Sequence, residues 1–405
     1  MIPLEEIRKA KESIKDVIDK TPFAYAPILS SYCDASIYLK KENLQLTGAY
    51  KLRGAYNKIA SLSKQERAKG VIAASAGNHA QGVAFSAKKF QIPSTIIMPE
   101  ATPLLKVLST KSHGAKVILQ GENYDEAYEY ALLYAKEHEL TFIHPFSDDK
   151  VIAGQGSVAI EMLEQIDDID IIVVPIGGGG LIGGVGSVFK QLKPDVKIIG
   201  VVASGADAMR ESFEAKKAID SVSVRTIADG IAVRDVCEKN LNLILEVVDE
   251  IVSVDDEEIA NAILFLLEKQ KLVVEGGGAV GVAALMHKKI KFKPTDKVAT
   301  ILSGGNIDVS MLSIIIEKGL IKAHRKMKLI ITLIDKPGSL MELTELFSEL
   351  GANIIQIDYD RTSISLSYGD ANVTLALETK GSSHQEEIRE KLKLERYRFS
   401  EEMRG

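Results

Sequence analysis

A lysine behind a glycine turn, Thr47-Gly48-Ala49-Tyr50-Lys51, and four consecutive glycines, Gly177 to Gly180, are the residues of this chain best placed to do chemistry. The glycines follow the apolar run Ile171-Ile172-Val173-Val174-Pro175-Ile176. At a strand's C-terminal end, residues without Cβ let backbone N–H groups approach an anion, and the following helix adds the positive end of its dipole. That arrangement suits a phosphate. A nucleoside triphosphate loop would need Lys-Ser or Lys-Thr after the run, and none follows. Gly178-x-Gly180-x-x-Gly183 matches a dinucleotide pattern, but the next strand, Lys197-Ile198-Ile199-Gly200-Val201-Val202, ends without an acidic residue for a ribose hydroxyl. A nicotinamide dehydrogenase is therefore the weaker reading. A small phosphorylated cofactor with a second, covalent tether is the stronger.

Lys51 is available as such a tether, although, taken alone among 50 Lys and Arg, it reads first as a solvated surface charge. It opens a helix-competent segment, where the dipole disfavours a cation and leaves the amine more available. A third element, Ser75-Ala76-Gly77-Asn78-His79, follows the short strand Gly70–Ala74 and leads into a helix through Gln81 to Lys89. Ser75 reads as its N-cap, with free N–H groups behind it that suit a carboxylate or a phosphate.

Together these motifs, with Leu302-Ser303-Gly304-Gly305-Asn306, resemble the fold-type II pyridoxal-phosphate enzymes, and within them the threonine dehydratase and serine racemase branch. The likeness runs from about residue 3 to 320. It implies that Lys51 holds the cofactor covalently and moves the substrate's Cα proton. Gly177, Gly178, Gly179, Gly180 and Leu181 would cradle the phosphate, Asn78 would meet the ring hydroxyl, and Ser303 would face the ring nitrogen. Tyr50, where the family usually carries Phe, would lie along one ring face. Ser75, Asn78 and His79 would receive the substrate carboxylate. Racemases of this branch carry a second Ser where Ala76 stands, so the resemblance implies elimination by one base. The implied reaction is dehydration and deamination of L-threonine to 2-oxobutanoate and ammonia, as in isoleucine biosynthesis. Serine dehydration and racemisation of serine or hydroxyaspartate are the nearest alternatives. Relatives that bind a divalent cation use carboxylates where Val202 and Ala208 stand here, so no metal is expected. The run Val274-Glu275-Gly276-Gly277-Gly278-Ala279 departs from the family's usual Glu-Pro-Ala-Gly-Ala.

The elements that must position these residues read as α/β throughout. In 405 residues, 46% hydrophobic, there is material for more than one core. A smaller, mobile lobe is expected over about 42–150, with strands such as Ser94–Met98 and Ala115–Leu119. The larger lobe takes the N-terminal segment and about 150–320, in open, mostly parallel sheets, with the cofactor between lobes at strand C-terminal ends. His144-Pro145-Phe146, where the chain crosses back, reads as a turn with a buried ring. No apolar stretch approaches a membrane span, and Met1–Glu6 lacks a signal peptide's basic start, so a cytoplasmic protein is expected. A net charge of −6 argues against nucleic acid or an anionic membrane as partner. The two cysteines, Cys33 and Cys237, form no disulfide framework or Cys-x-x-Cys site.

After Lys322-Ala323-His324-Arg325-Lys326 the pattern becomes βαββα with a short last strand near Arg396–Phe399, a ferredoxin-like module. The expected division is therefore 1–322 for catalysis and 323–405 for the module. Its Asp335-Lys336-Pro337-Gly338-Ser339-Leu340 turn, with Gly351-Ala352-Asn353, resembles ACT domains, which bind free amino acids at a subunit interface. That resemblance implies effector contacts at Pro337, Gly338, Leu340 and Asn353, and a homo-oligomer, dimer or tetramer.

Overall fold

The computed structural model describes residues 1–364 and 366–401. The chain divides into two compact units, Met1–Asp308 and Val309–Gly405. The first holds two sheets. Six strands run in the order Phe23–Tyr25, Ser36–Lys40, Lys297–Ile301, Ile171–Pro175, Lys197–Ala203, Glu250–Val254, parallel except for the antiparallel first pair. Four parallel strands form the other, ordered Lys116–Leu119, Ser94–Met98, Val71–Ala74, Thr141–Phe142. Ile171–Pro175, Val71–Ala74 and Ser94–Met98 are buried at every residue. Strands buried along their whole length belong to parallel sheets covered on both faces.

Three helices that position the site meet at backbone contact. Lys51–Ala60 and Gly180–Leu192 both pack on Asp149–Gln165. The close approach needs glycine: a Cβ on Gly154 would lie 2.6 Å from the Gly54 Cα and 2.7 Å from the Arg53 carbonyl, and one on Gly184 would lie 2.7 Å from the Gly156 nitrogen. The lysine helix and the glycine-run helix are thus referenced to one rigid element. Gly154→Ala is expected to force the backbones apart and destabilise the first unit by about 1–3 kcal/mol, the usual cost of overpacking. Chemical denaturation checks this, and an unchanged midpoint would contradict it.

A second tie is ionic and wholly buried. Arg53 Nε and Nη2 donate to Glu42 at 2.8 Å each, while Nη1 and Nη2 donate to Glu161 at 2.7 and 2.9 Å. Lys40 Nζ completes the group, donating to Glu161 at 2.8 Å and to the Thr21 carbonyl at 2.8 Å. Lys51 and Arg53 are two positions apart on one helix, so their side chains diverge by roughly 200°. With Arg53 held in this group, Lys51 points the other way.

In the second unit the order is strand Lys326–Ile334, helix Ser339–Glu349, strands Asn353–Asp360 and Asp370–Glu378, helix Ser382–Leu394, strand Arg398–Glu401. The antiparallel sheet is ordered Asn353–Asp360, Asp370–Glu378, Lys326–Ile334, Arg398–Glu401. Leu343, Leu346 and Phe347 of one helix and Ile388 and Leu392 of the other join Leu329, Ile331 and Leu375 in its core. The contact division falls before the 14-residue helix Val309–Lys322, not after it. That helix contacts the strand Lys326–Ile334 and groups with the second unit. Among the described residues, no helix is long and apolar enough to cross a membrane.

Candidate active site

A cavity of about 820 Å³ lies in the first unit, lined by Tyr50, Lys51, Ser75, Asn78, His79, Gly177 to Gly180, Leu181 and Ser303. Several further chain segments reach it, including His144–Ser147, Asp229–Cys237, Glu275 and Asn306. Two of them are stitched directly together. Ala49 and Gly304 form an isolated antiparallel bridge, with the Tyr50 N–H on the Ser303 carbonyl at 3.1 Å and the Gly305 N–H on the Gly48 carbonyl at 2.8 Å.

Lys51 is the first residue of its helix. Its Nζ donates to the Pro145 carbonyl at 2.8 Å and lies 5.5 Å from the centre of the Tyr50 ring. Among the described residues no carboxylate forms an ion pair with it. Burial lowers its pKa to about 8, against a weaker opposing pull from Glu275. Enclosure, rather than the helix terminus invoked from sequence, is thus the main cause. Labelling of Lys51 by an aldehyde, fixed with borohydride and read by peptide mass spectrometry, should rise through a midpoint near pH 8. A midpoint near 10.5, the ordinary lysine value, would contradict the enclosed amine.

At the glycine run, Gly179 is the residue before the helix Gly180–Leu192 and takes φ +85°, which favours glycine. No side chain caps this helix. Its first N–H groups have no intrahelical acceptor. Behind the loop, fully buried Asn240 donates from Nδ2 to the Gly178 carbonyl and, at 3.0 Å, to that of Phe146.

The second N-terminus differs from the sequence reading. The helix begins at Asn78, the residue before it is Gly77, and neither Ser75 nor any other side chain caps it. Ser75 Oγ instead accepts the Gly77 N–H at 3.2 Å, closing a short turn. The first-turn N–H groups of Asn78, His79 and Ala80 are therefore left for a ligand. His79 Nε2 bonds the Ile143 carbonyl at 2.8 Å, and burial with the nearby Lys51 charge takes its pKa to about 3. Its ring is neutral, so any hold on a carboxylate comes from its backbone.

His144 is the expected turn residue and also faces the cavity. Its Nδ1 accepts the Phe146 and Ser147 N–H groups at 3.2 and 3.0 Å, and burial, then Lys51, lowers its pKa to about 4. Ser303 is buried, its Oγ donating to the Gly277 carbonyl at 3.3 Å.

Glu275 and Asn306 went unassigned in the sequence. Glu275 was visible only as a carboxylate before three glycines, and Asn306 as the end of the Ser303 motif. Asn78 Nδ2 donates to Glu275 Oε1 at 2.6 Å, and Asn306 Nδ2 donates to Asn78 Oδ1 at 2.7 Å.

The four residues singled out in the second unit are not brought together. Gly338 precedes the helix Ser339–Glu349 with φ +94°, after the Ile334 end of its strand. Asn353 pairs with Glu378, which pairs with Lys326 at the other end. The two places lie roughly 27 Å apart along the strands at about 3.4 Å per residue.

An unpaired amine of lowered pKa, an N–H-lined glycine turn and a buried neutral hydroxyl fit an aldehyde-bearing, phosphorylated ring. Residues 14–304 match the family model described as pyridoxal-phosphate dependent enzyme. Over 389 residues the chain is 49% identical to the L-threonine ammonia-lyase of Thermotoga maritima, covering 96% of each. It is similar to the solved structure of the processed form of threonine deaminase isoform 2 from Solanum lycopersicum, at 37% identity and a TM-score of 0.72, over 78% of this chain and 88% of that one. Maize serine racemase is also similar, at 34% identity and a TM-score of 0.74, over 79% and 98%.

Proposed function

The chain belongs to the pyridoxal-phosphate-dependent enzymes, and from that premise we propose that it converts L-threonine to 2-oxobutanoate and ammonia. Pyridoxal phosphate is its cofactor, and when bound it supplies an electron sink that lets a Cα–H bond of an amino acid break. The first-turn N–H groups of Gly180 and Leu181, with the Gly177–Gly179 turn, hold the phosphate, and Asn78 and Ser303 meet the ring. The N–H groups of Asn78 and His79, with Ser75, take the substrate carboxylate. Lys51 Nζ, unprotonated in part because it is enclosed, receives the Cα proton and passes it to the departing β-hydroxyl, which leaves as water. The enamine released takes up water to give 2-oxobutanoate and ammonia.

The observation that carries this reading is the enclosed, unpaired Lys51 in a cavity whose residue 76 is alanine. His79 and His144 are held neutral by burial and by backbone partners, and Glu275 is engaged by Asn78, which favours Lys51 as the working base. The likeness to maize serine racemase favours a second reading, racemisation. It would need a proton on the opposite face, which Ala76 cannot supply.

The second unit supports amino-acid regulation of an ACT type, with the carboxylate on the N–H groups after Gly338. Since Pro337, Gly338 and Leu340 lie a strand's length from Asn353, an effector touching all four would bridge two copies, in keeping with a homo-oligomer. A cytoplasmic role in isoleucine synthesis completes the reading. Titrating L-isoleucine into the L-threonine reaction tests it. Release of 2-oxo acid should fall as isoleucine is added, whereas unchanged turnover would remove the biosynthetic, feedback-inhibited role. A kcat/KM for L-serine above that for L-threonine would change the preferred substrate.

A further inference from the structure

Three polar side chains, distant in sequence, fix one another's orientation in the cavity wall. Asn306 Nδ2 donates both to the Thr47 carbonyl at 2.8 Å and to Asn78 Oδ1 at 2.7 Å. The Thr47 carbonyl only accepts, so the atom facing it is the amide nitrogen, and Asn78 presents its oxygen to that nitrogen. The Asn78 nitrogen therefore faces Glu275, whose Oε1 accepts at 2.6 Å. One N–H of Asn78 is left over.

Glu275 has room made for it. It is 4% exposed, and glycines border its carboxylate: a Cβ on Gly230 would lie 3.1 Å from Oε1, and one on Gly304 closer still. Among the described residues no cation forms an ion pair with it. The groups facing it are Asp229 and Lys106, paired with each other at 2.6 Å, the Lys51 amine, the Tyr50 phenol and the Asn306 N–H. Burial, then Asp229, pushes its carboxyl up to about 7, so it gains charge, and strength as an acceptor, within the neutral range. An unpaired buried carboxylate is costly and is kept only where its hydrogen bonds matter.

We propose that Glu275 is a positioning residue of the reaction: by accepting from Asn78 it aims the remaining Asn78 N–H at the ring oxygen of the bound cofactor. The inference rests on the reading that Asn78 meets that ring. Its test is a double-mutant cycle on the holoenzyme, following the cofactor's dissociation constant and its absorbance maximum. Glu275→Ala and Asn78→Ala should each shift the maximum and weaken cofactor binding by about 10- to 100-fold, the range for losing a hydrogen bond to a charged group. The double variant should be no worse than the weaker single, because both remove one coupled donor. Glu275→Gln keeps an acceptor at the same place and should recover most of the binding. Should the alanine variants fail to fold, Glu275→Met against Glu275→Gln makes the same comparison. Additive losses, or a Gln variant as weak as the apolar one, would overturn the positioning role. A wild-type protein that binds no cofactor would overturn the underlying reading as well, whereas an additive cycle in a cofactor-binding wild type overturns this inference alone.

Discussion

Lys51→Ala is expected to lower 2-oxobutanoate release from L-threonine by at least about 1,000-fold, within the 10²–10⁴ that a positioned proton-transfer group contributes. The loss of covalent attachment adds to this. After borohydride reduction, wild-type protein should carry the cofactor mass on the Lys51 peptide, and the variant should carry none. Misfolding would not explain that result, because among the described residues the amine's one hydrogen bond is to the Pro145 carbonyl. The sign of the stability effect is informative. Folding holds the Lys51 pKa below its ordinary 10.5, at about 8, so the charged form is the penalised one. That penalty is fully present below pH 8 and fades as pH rises toward 10.5. The apo variant should therefore melt no lower than apo wild type at pH 7, and the gap should close at alkaline pH. A variant that keeps the activity and the modified peptide would remove Lys51 from the chemistry.

Arg53→Met should be the most destabilising single change, by about 3–5 kcal/mol, the cost of leaving a buried charge without its partner. It strands Glu42 and Glu161, both almost fully buried, with Lys40 the one remaining cation paired to them among the described residues. Combining it with Glu161→Gln restores charge balance, so the double variant should lose less than the two single losses summed. Chemical denaturation reads both. A loss below about 1 kcal/mol for Arg53→Met, the scale of an exposed pair, would mean that the group does not hold the lysine helix.

The parts of the site legible in the sequence were those set by local chain geometry. A glycine run after an apolar strand and a lysine behind a glycine turn constrain their own backbone, so Gly177–Gly180 and Lys51 stood out as candidates before any tertiary contact was known, while their roles came from the resemblance. The second helix start was offset by two residues, because Ser75 spends its hydroxyl on the Gly77 N–H instead of capping. Glu275 was missed since its meaning depends on Asn78, 197 positions away. The Lys40, Glu42, Arg53 and Glu161 group was equally silent. Each is a residue type usually exposed, and only the fold brings them out of water together. In the C-terminal module the βαββα order and the short last strand were legible, since alternating strands and amphipathic helices mark themselves. What did not follow was that the Gly338 turn and Asn353 occupy opposite ends of the sheet, a consequence of the helix Ser339–Glu349 running back along the strand before Asn353.

The most direct test of the account is proton NMR of L-threonine incubated with purified, cofactor-loaded protein. 2-Oxobutanoate and ammonium are expected in equal amounts, with no allo-threonine. Epimerised threonine without the oxo acid, or threonine left unchanged, would contradict it.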